Sequence, residues 1–382
     1  MLFFLFMATD DNFSFQRVAP GRSMHVGAAC SSIDDDDAEQ DCLNLPDKYD
    51  GTIKHLERHL RGHERAVSHA SFTPDGKKVL TASFDRSARL FNADTGQCES
   101  TFWGHTDVVS YIAASPDSSK IATASADRSV LVFDAATGSQ IASLEGHKQQ
   151  VQMVTFSPDG QKLLTASADR TAGLFDVQTG ACDQRLGGHT KGVYTAAFSL
   201  DGRKILTASH DKTASLFDAT SGQRLHAFTG HAERVYMAIF SHDGQQVITA
   251  SGDGTSRLWD ANSAACQVTY SGHEGSVYSV ALSPDGTKVV TSCTDCFARI
   301  FDVQTGACER VLEGHTMAVH SACFSPDGQL VLTASDDRTA KIFSVASGQC
   351  LQNFEGHGEH IYSARFSPDG LRVVTAAESG VK

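Results

Sequence analysis

Histidine, serine and aspartate recur through this sequence at fixed offsets. The sets are His63, Ser83 and Asp85; His105, Ser125 and Asp127; His147, Ser167 and Asp169; His189, Ser209 and Asp211; His231, Ser251 and Asp253; and His315, Ser335 and Asp337. A seventh set has His273 and Asp295 with Cys293 in place of the serine. These are the residue types of nucleophilic hydrolysis: a hydroxyl or thiol that attacks, an imidazole that takes its proton, and a carboxylate that orients the imidazole. A triad, however, serves one cleft with one oxyanion hole. A set that recurs in equivalent places along the chain describes a structural unit instead. No unit carries an acid, base or metal ligand that the others lack, so an enzyme with a single site is the weakest functional reading. Cys293-Thr294-Asp295-Cys296 has CxxC spacing, but both cysteines fall on repeat positions and no second Cys/His pair stands at zinc spacing. There is also no glycine-rich phosphate loop followed by Lys-Ser/Thr. No cofactor, metal or small-molecule substrate is expected.

The elements that must position these residues follow from the repeat. Gly-His pairs open at Gly62, Gly104, Gly146, Gly188, Gly230, Gly272, Gly314 and Gly356, always 42 residues apart. Each unit reads as four short strands. Val193 to Phe198 is a run of the innermost type, Leu163 to Ser167 a second strand and Thr171 to Phe175 a third. Pro158-Asp159-Gly160 supplies a tight turn, and Thr179-Gly180 joins the third strand to the fourth. Apolar residues on both faces of such short strands suit sheets packed face to face around a ring.

A period near 40–45 with Gly-His and an aromatic-Asp pair resembles the WD-repeat β-propeller family, over residues 51–382. The resemblance implies an all-β propeller of four-stranded blades. It also implies a buried network in which the turn Asp accepts from the His, the His meets the strand Ser or Thr, and a third-strand aromatic completes the set. Where the family prefers Trp, this chain has Phe91, Phe133, Phe175, Phe217, Phe301 and Phe343, and only Trp259 keeps the indole. Phe cannot donate, so most blades are expected to hold a three-membered network.

Seven units are complete. The eighth keeps Gly356-His357 and two strands, then stops at Lys382 before a third. Ala377 and Ser379 stand where its Ser and Asp belong, so His357 is expected to lack partners and this blade to be the loosest. Leu56 and Leu60 fall in the register of Cys350 and Phe354, so residues 55–60 read as an outer strand lent to the last blade. An eight-unit ring with an incomplete final blade is the preferred arrangement, with seven blades as the alternative.

Residues 1–50 carry the acidic run Asp34 to Asp37 and no sustained period, and are expected to be a disordered acidic leader. The apolar opening Met1 to Met7 is too short for a membrane span or an ordinary signal peptide; Met7 is an alternative start. Ten cysteines without a signal peptide read as reduced thiols of a cytoplasmic protein, with the nucleus as the alternative. Cys98, Cys182, Cys266, Cys308 and Cys350 share one repeat position, read as a packing position. A net charge of −13 argues against broad phosphate-backbone binding.

Function belongs to the positions that vary within the repeat. By resemblance to the family, the residues flanking the first-strand Val and the residue before the turn Asp face the mouth of the central channel. Units four to six place Tyr194, Tyr236 and Tyr278 there, with His210 and Arg234 beside them, followed by His320 and Asp336. Tyr and Arg combine apolar area with hydrogen-bonding tips and are enriched at interface hot spots. The expected function is a non-enzymatic scaffold that gathers proteins or peptide segments into a complex through this top face, with no membrane partner. An RNA-binding subunit is the alternative, and the chain's acidity counts against it.

Overall fold

Each repeat unit folds into one antiparallel sheet in the computed structural model, which describes residues 42–44 and 60–377. The third unit is typical: Val151–Phe156, Lys162–Ser167, Ala172–Asp176 and Cys182–Leu186 pair in sequence order. Seven sheets have four strands in this order. The Gly-His glycine takes a positive φ in every unit, from 110° to 135°, a backbone that a side chain would strain. That turn sends the following histidine into the blade.

The first strand of each sheet packs against the first strands of its neighbours and lines the channel. The second strands are almost wholly buried, as in Lys162–Ser167, because both faces lie against adjacent blades. The core is thus a set of clusters between blades. Leu80, Leu90 and Phe102 of the first blade pack with Ile112, Ile121 and Phe133 of the second, and the pattern repeats around the ring. Phe91, Phe133, Phe175, Phe217, Phe301, Phe343 and Trp259 are all buried in this layer.

The eighth sheet closes the ring. Ile361–Phe366 and Arg372–Ala377 pair with each other and pack on the first blade, where Leu60, Val67, Val79 and Phe91 share a core with Val374 and Ala376. Arg372 spans the same seam. Its Nη1 lies 2.9 Å from Asp94 Oδ1, its Nη2 donates to Gly76 O at 2.7 Å, and its guanidinium stands over Phe72.

Two expectations change, one about closure and one about the repeated cysteines. The eighth sheet has a third strand after all, Cys42–Asn44, antiparallel to Arg372–Ala377 with Leu43 opposite Val373. This strand lies inside the stretch expected to be a disordered leader; the rest of 1–41 and 45–59, including the expected outer-strand residues before Leu60, lies outside the described residues. Leu60 itself is fully buried, as an inward-facing residue of that strand would be. The repeated cysteines, in contrast, do not pack in the interior. Cys98, Cys182, Cys266, Cys308 and Cys350 are exposed free thiols at the start of the outer strands, each donating to the carbonyl two residues on. Among the described residues no helix is long and apolar enough to cross a membrane.

Candidate functional site

The repeated polar residues meet inside each blade, and of the expected strand Ser or Thr it is the Thr that the histidine meets. Histidine Nδ1 lies 2.7–2.9 Å from the turn aspartate in blades one to seven. Histidine Nε2 instead meets a threonine two residues before the serine position, at 2.6–2.9 Å in all eight blades, as in His63 with Thr81 and His189 with Thr207. His357 therefore has Thr375 as a partner in the blade where none was expected. The serines do a different task. Ser83 and its equivalents donate to a carbonyl in the loop before the first strand, at 2.9–3.2 Å, and accept from the aspartate N–H. They tie the turn to the inner strand and do not touch the histidine.

Trp259 extends the network by one member. Its indole Nε1–H donates to Thr249 Oγ1 at 2.9 Å. Because the ionised Asp253 only accepts, His231 Nδ1–H donates to it at 2.8 Å, which leaves His231 Nε2 to accept from the Thr249 hydroxyl at 2.7 Å. Burial works against the Asp253 carboxylate, but the bonds from His231 and Thr255 outweigh it and hold its pKa below the usual range. The chain of bonds runs from Trp259 to an ionised aspartate. Buried and satisfied on every side, it is a brace for the blade and no place for a substrate.

Among the described residues, the sixth blade holds the one cluster that resembles a metal set, His273, Cys293 and Asp295. Its groups are already engaged. Both His273 nitrogens are bonded within the network, Arg299 Nη1 lies 2.6 Å from Asp295 Oδ2, and burial pushes the Cys293 thiol up to about 12. The imidazole and the carboxylate are thus already bonded within the blade's own network. Cys296 sits at the positive-φ position that Arg or Lys holds in most other blades.

The position after the first-strand Val differs from blade to blade. In every first strand the residue after the Val, or after Ile361 in the eighth, is an extra residue opposite the second strand, a β-bulge. A bulge re-aims the side chain it carries. In blades one and two this residue is serine, and Ser68 and Ser110 each bond the Val carbonyl of the next blade at 2.6 Å. In blades four to eight it is aromatic, and the rings meet one another instead. His210 lies 3.7 Å from Tyr194, Tyr194 5.6 Å from Tyr236, Tyr236 5.2 Å from Tyr278, and Tyr278 is stacked on His320 at 5.4 Å. His320 then meets the edge of Tyr362 at 5.4 Å.

The sequence-predicted residues are thus brought together as one arc over blades four to seven, which Tyr362 extends into the eighth. Arg234 lies against Tyr236, whose hydroxyl burial pushes up. Burial and the neighbouring Tyr236 and Asp336 drive Tyr278 to about 12, so both tyrosines are neutral donors. Asp336 is not an open acid. His320 Nε2 lies 2.6 Å from its Oδ1, and His360 lies 3.5 Å from the same oxygen and 2.6 Å from the Asp336 carbonyl. Against the pull of burial, these contacts hold the Asp336 carboxyl below its ordinary value. Sequence reasoning missed His360, although it holds in the eighth unit, just before Ile361, the same repeat position that Arg234 holds before Val235 in the fifth.

Eight matches to the family model for the WD domain, G-beta repeat, cover residues 49–92, 96–134, 138–176, 180–218, 222–260, 264–302, 306–344 and 348–381. The chain belongs to this WD-repeat family. Among curated proteins, a 49-residue stretch is 47% identical to Notchless protein homolog of Arabidopsis thaliana, covering 13% of this chain and 10% of that protein. A 43-residue stretch is 42% identical to Ribosome assembly protein 4 of Saccharomyces cerevisiae, covering 11% of this chain and 8% of that one. The chain spans about a tenth of the length of these relatives. Stretches of this size are close to one WD repeat, so they carry the blade's sequence and not the surface that varies between blades.

Proposed function

We propose that this WD-repeat ring is a non-enzymatic, cytoplasmic scaffold that takes a protein partner over blades four to eight, on the arc from Tyr194 to His320 and Tyr362 with His210, Arg234 and Asp336 at its edges. The observation that carries the reading is the placement of contiguous aromatic rings on successive β-bulges at the channel mouth, while the same position in blades one and two is spent on backbone hydrogen bonds. Ordered rings present large apolar area at small entropic cost, with hydroxyl and imidazole edges to orient a peptide. That the relatives include a ribosome assembly protein accords with work inside a multiprotein complex.

The test uses the repeat as its own control. Replacing Tyr194, Tyr236 and Tyr278 by serine puts at each bulge the residue that blades one and two already carry, so the ring should fold, as circular dichroism would verify. Affinity capture from cells with the intact chain and this variant is expected to give discrete protein partners that the variant loses. Identical partners for both would move the site elsewhere on the disc. Capture of RNA that is lost as salt rises would favour the RNA-binding reading instead.

A further inference from the structure

The turns that join the first two strands of each blade form a second ring, at the opposite end of the channel from the aromatic arc. At five junctions the proline of one turn covers the glycine of the next. A Cβ on Gly76, Gly160, Gly202, Gly328 or Gly370 would lie 3.3–3.5 Å from the ring Cδ of the neighbouring blade's proline, as Gly202 does with Pro158. His242 covers Gly286 in the same way, at 3.6 Å. The junction of blades four and five is open. Leu200 stands where six blades carry proline and is 77% exposed, and a Cβ on Gly244 would meet nothing beyond its own chain neighbours within 4 Å. A single exposed leucine needs no explanation, but this one borders a notch that the repeat fills at six other junctions.

The same turn, from Phe198 to Gly202, borders a groove of about 560 Å³ between blades three and four. Pro158, Leu174 and Phe198 line it with apolar surface, and Asp159, Asp183 and Asp201 with carboxylates. Lys162, also in the groove, is spent on Asp176 at 2.9 Å and on Asp183 at 2.7 Å. Asp159, Asp201 and Asp243 are exposed. Each accepts through Oδ1 from a turn serine and a backbone N–H, and none is in an ion pair among the described residues. Beyond the notch, the fifth blade carries Gln245 and Gln246 where the fourth carries Arg203 and Lys204, so no lysine or arginine of that turn offsets Asp243.

We infer that this end of blade four docks a basic segment of a partner polypeptide. A proline ring or branched apolar side chain fills the notch over Gly244 beside Leu200, a second apolar side chain enters the groove on Phe198, and flanking Lys or Arg side chains pair with Asp201 and Asp243. A nucleic acid would bring phosphates against these carboxylates, and a second copy of a chain with net charge −13 would bring like charge, so the surface fits a cationic polypeptide. The inference goes beyond the scaffold reading of the aromatic arc and does not depend on it, because the two surfaces lie at opposite ends of the first strands.

The experiment titrates the full chain with acetyl-Lys-Leu-Pro-Lys-amide, with its Glu-Leu-Pro-Glu counterpart and with the charge-only Lys-Gly-Gly-Lys. Binding is read as saturation transfer to the peptide by NMR, so every variant can be measured alike. Leu200→Pro closes the notch with the residue that six blades already carry, and its urea midpoint is expected to match or exceed that of the parent chain. Asp243→Asn keeps the Oδ1 acceptor of the turn and removes the charge. The expected result is saturable binding of the Lys-Leu-Pro-Lys peptide, weakened about tenfold or more in Leu200→Pro and about two- to fivefold in Asp243→Asn. Lys-Gly-Gly-Lys should bind more weakly, and the glutamate peptide not at all. No saturable transfer up to about 20 mM, equal binding by Leu200→Pro, or equal binding of the glutamate peptide overturns the inference. A dimer of the intact chain that Leu200→Pro dissociates in sedimentation would also overturn it, by giving the notch to a second copy.

Discussion

Replacing Thr249 by valine tests whether the blade's brace is the threonine-centred chain of hydrogen bonds. Thr249 is fully buried, and its hydroxyl is bonded to both Trp259 Nε1 and His231 Nε2. Valine leaves both groups buried and without that partner. At about 1–3 kcal/mol for each unsatisfied polar group, the loss is about 2–6 kcal/mol. Thr207→Val in the fourth blade orphans His189 Nε2 alone among side chains, because Phe217 stands in place of the indole, and should cost about 1–3 kcal/mol. The difference between the two variants is the worth of one indole N–H. Adding Trp259→Phe should shrink the cost of Thr249→Val to that of Thr207→Val, since Phe fills this position in the neighbouring blades without donating. A ring of repeats need not unfold in one step, so the assay is amide hydrogen exchange of Gln246–Ser251 and Ser256–Asp260 beside urea denaturation. Costs for Thr249→Val and Thr207→Val that agree within about 0.5 kcal/mol, or an unchanged cost in the Trp259→Phe background, would refute the chain of bonds described above.

Acid should weaken the fold in two stages. His63, His69 and His273 are held below their ordinary pKa, mainly by burial, His273 to about 4; the unfolded chain therefore takes up their protons first, and stability falls as pH drops from about 6.5 toward 4. The turn aspartates Asp85, Asp127, Asp169, Asp211, Asp253 and Asp337 are held below the usual carboxylate range, where bonds from histidine and the following Ser or Thr outweigh burial, so a further loss begins below about pH 3.8. Urea midpoints between pH 3 and 8 should rise monotonically through both windows; a maximum near pH 5 would contradict this. At the seam, Arg372→Ala removes the charge-assisted bond to Gly76 and the cover over Phe72, and should cost about 1–3 kcal/mol with faster exchange confined at first to Ile361–Phe366 and Arg372–Ala377. Uniform acceleration around the ring would instead show that the seam is no weaker than other blade junctions.

The repeat made most of the fold legible, because a fixed 42-residue spacing assigns the strands, turns and histidine–aspartate pairs of the seven complete units at once. It could not choose the histidine's hydroxyl partner. Thr81 and Ser83 recur with the same period and, two apart on one strand, share a face, so only depth within the blade separates them. The network therefore ends on threonine although the serine is equally regular. The closing strand was hidden for another reason. Cys42–Asn44 offers three residues, too few for a period, amid an acid-rich stretch. The repeat phase itself puts Tyr49 and Asp50, not Leu43 and Asn44, in the register of Phe91 and Asn92, six residues downstream of the pair that fills that place. The aromatic arc was legible as a set of positions but not as a surface, since sequence spacing does not reveal that those positions are bulges.

That last point explains how a uniform chain can present a non-uniform face. A bulge residue is outside the regular strand ladder, so its side chain is not required to complete a blade. In blades one and two it closes a hydrogen bond to the next blade through serine, while in blades four to eight that joint is made by ring contact, and the rings remain only partly covered at the mouth except for His320. One backbone device thus performs two tasks, joining neighbours on one side of the ring and displaying aromatic edges on the other. Copying the unit preserves the bulge, and changing one residue on it alters the face without touching the brace of histidine, threonine and aspartate beneath. Surface variation and blade stability are therefore separable in this protein, and the serine replacements at Tyr194, Tyr236 and Tyr278 should remove partner binding while leaving the exchange protection of the second and third strands as it was.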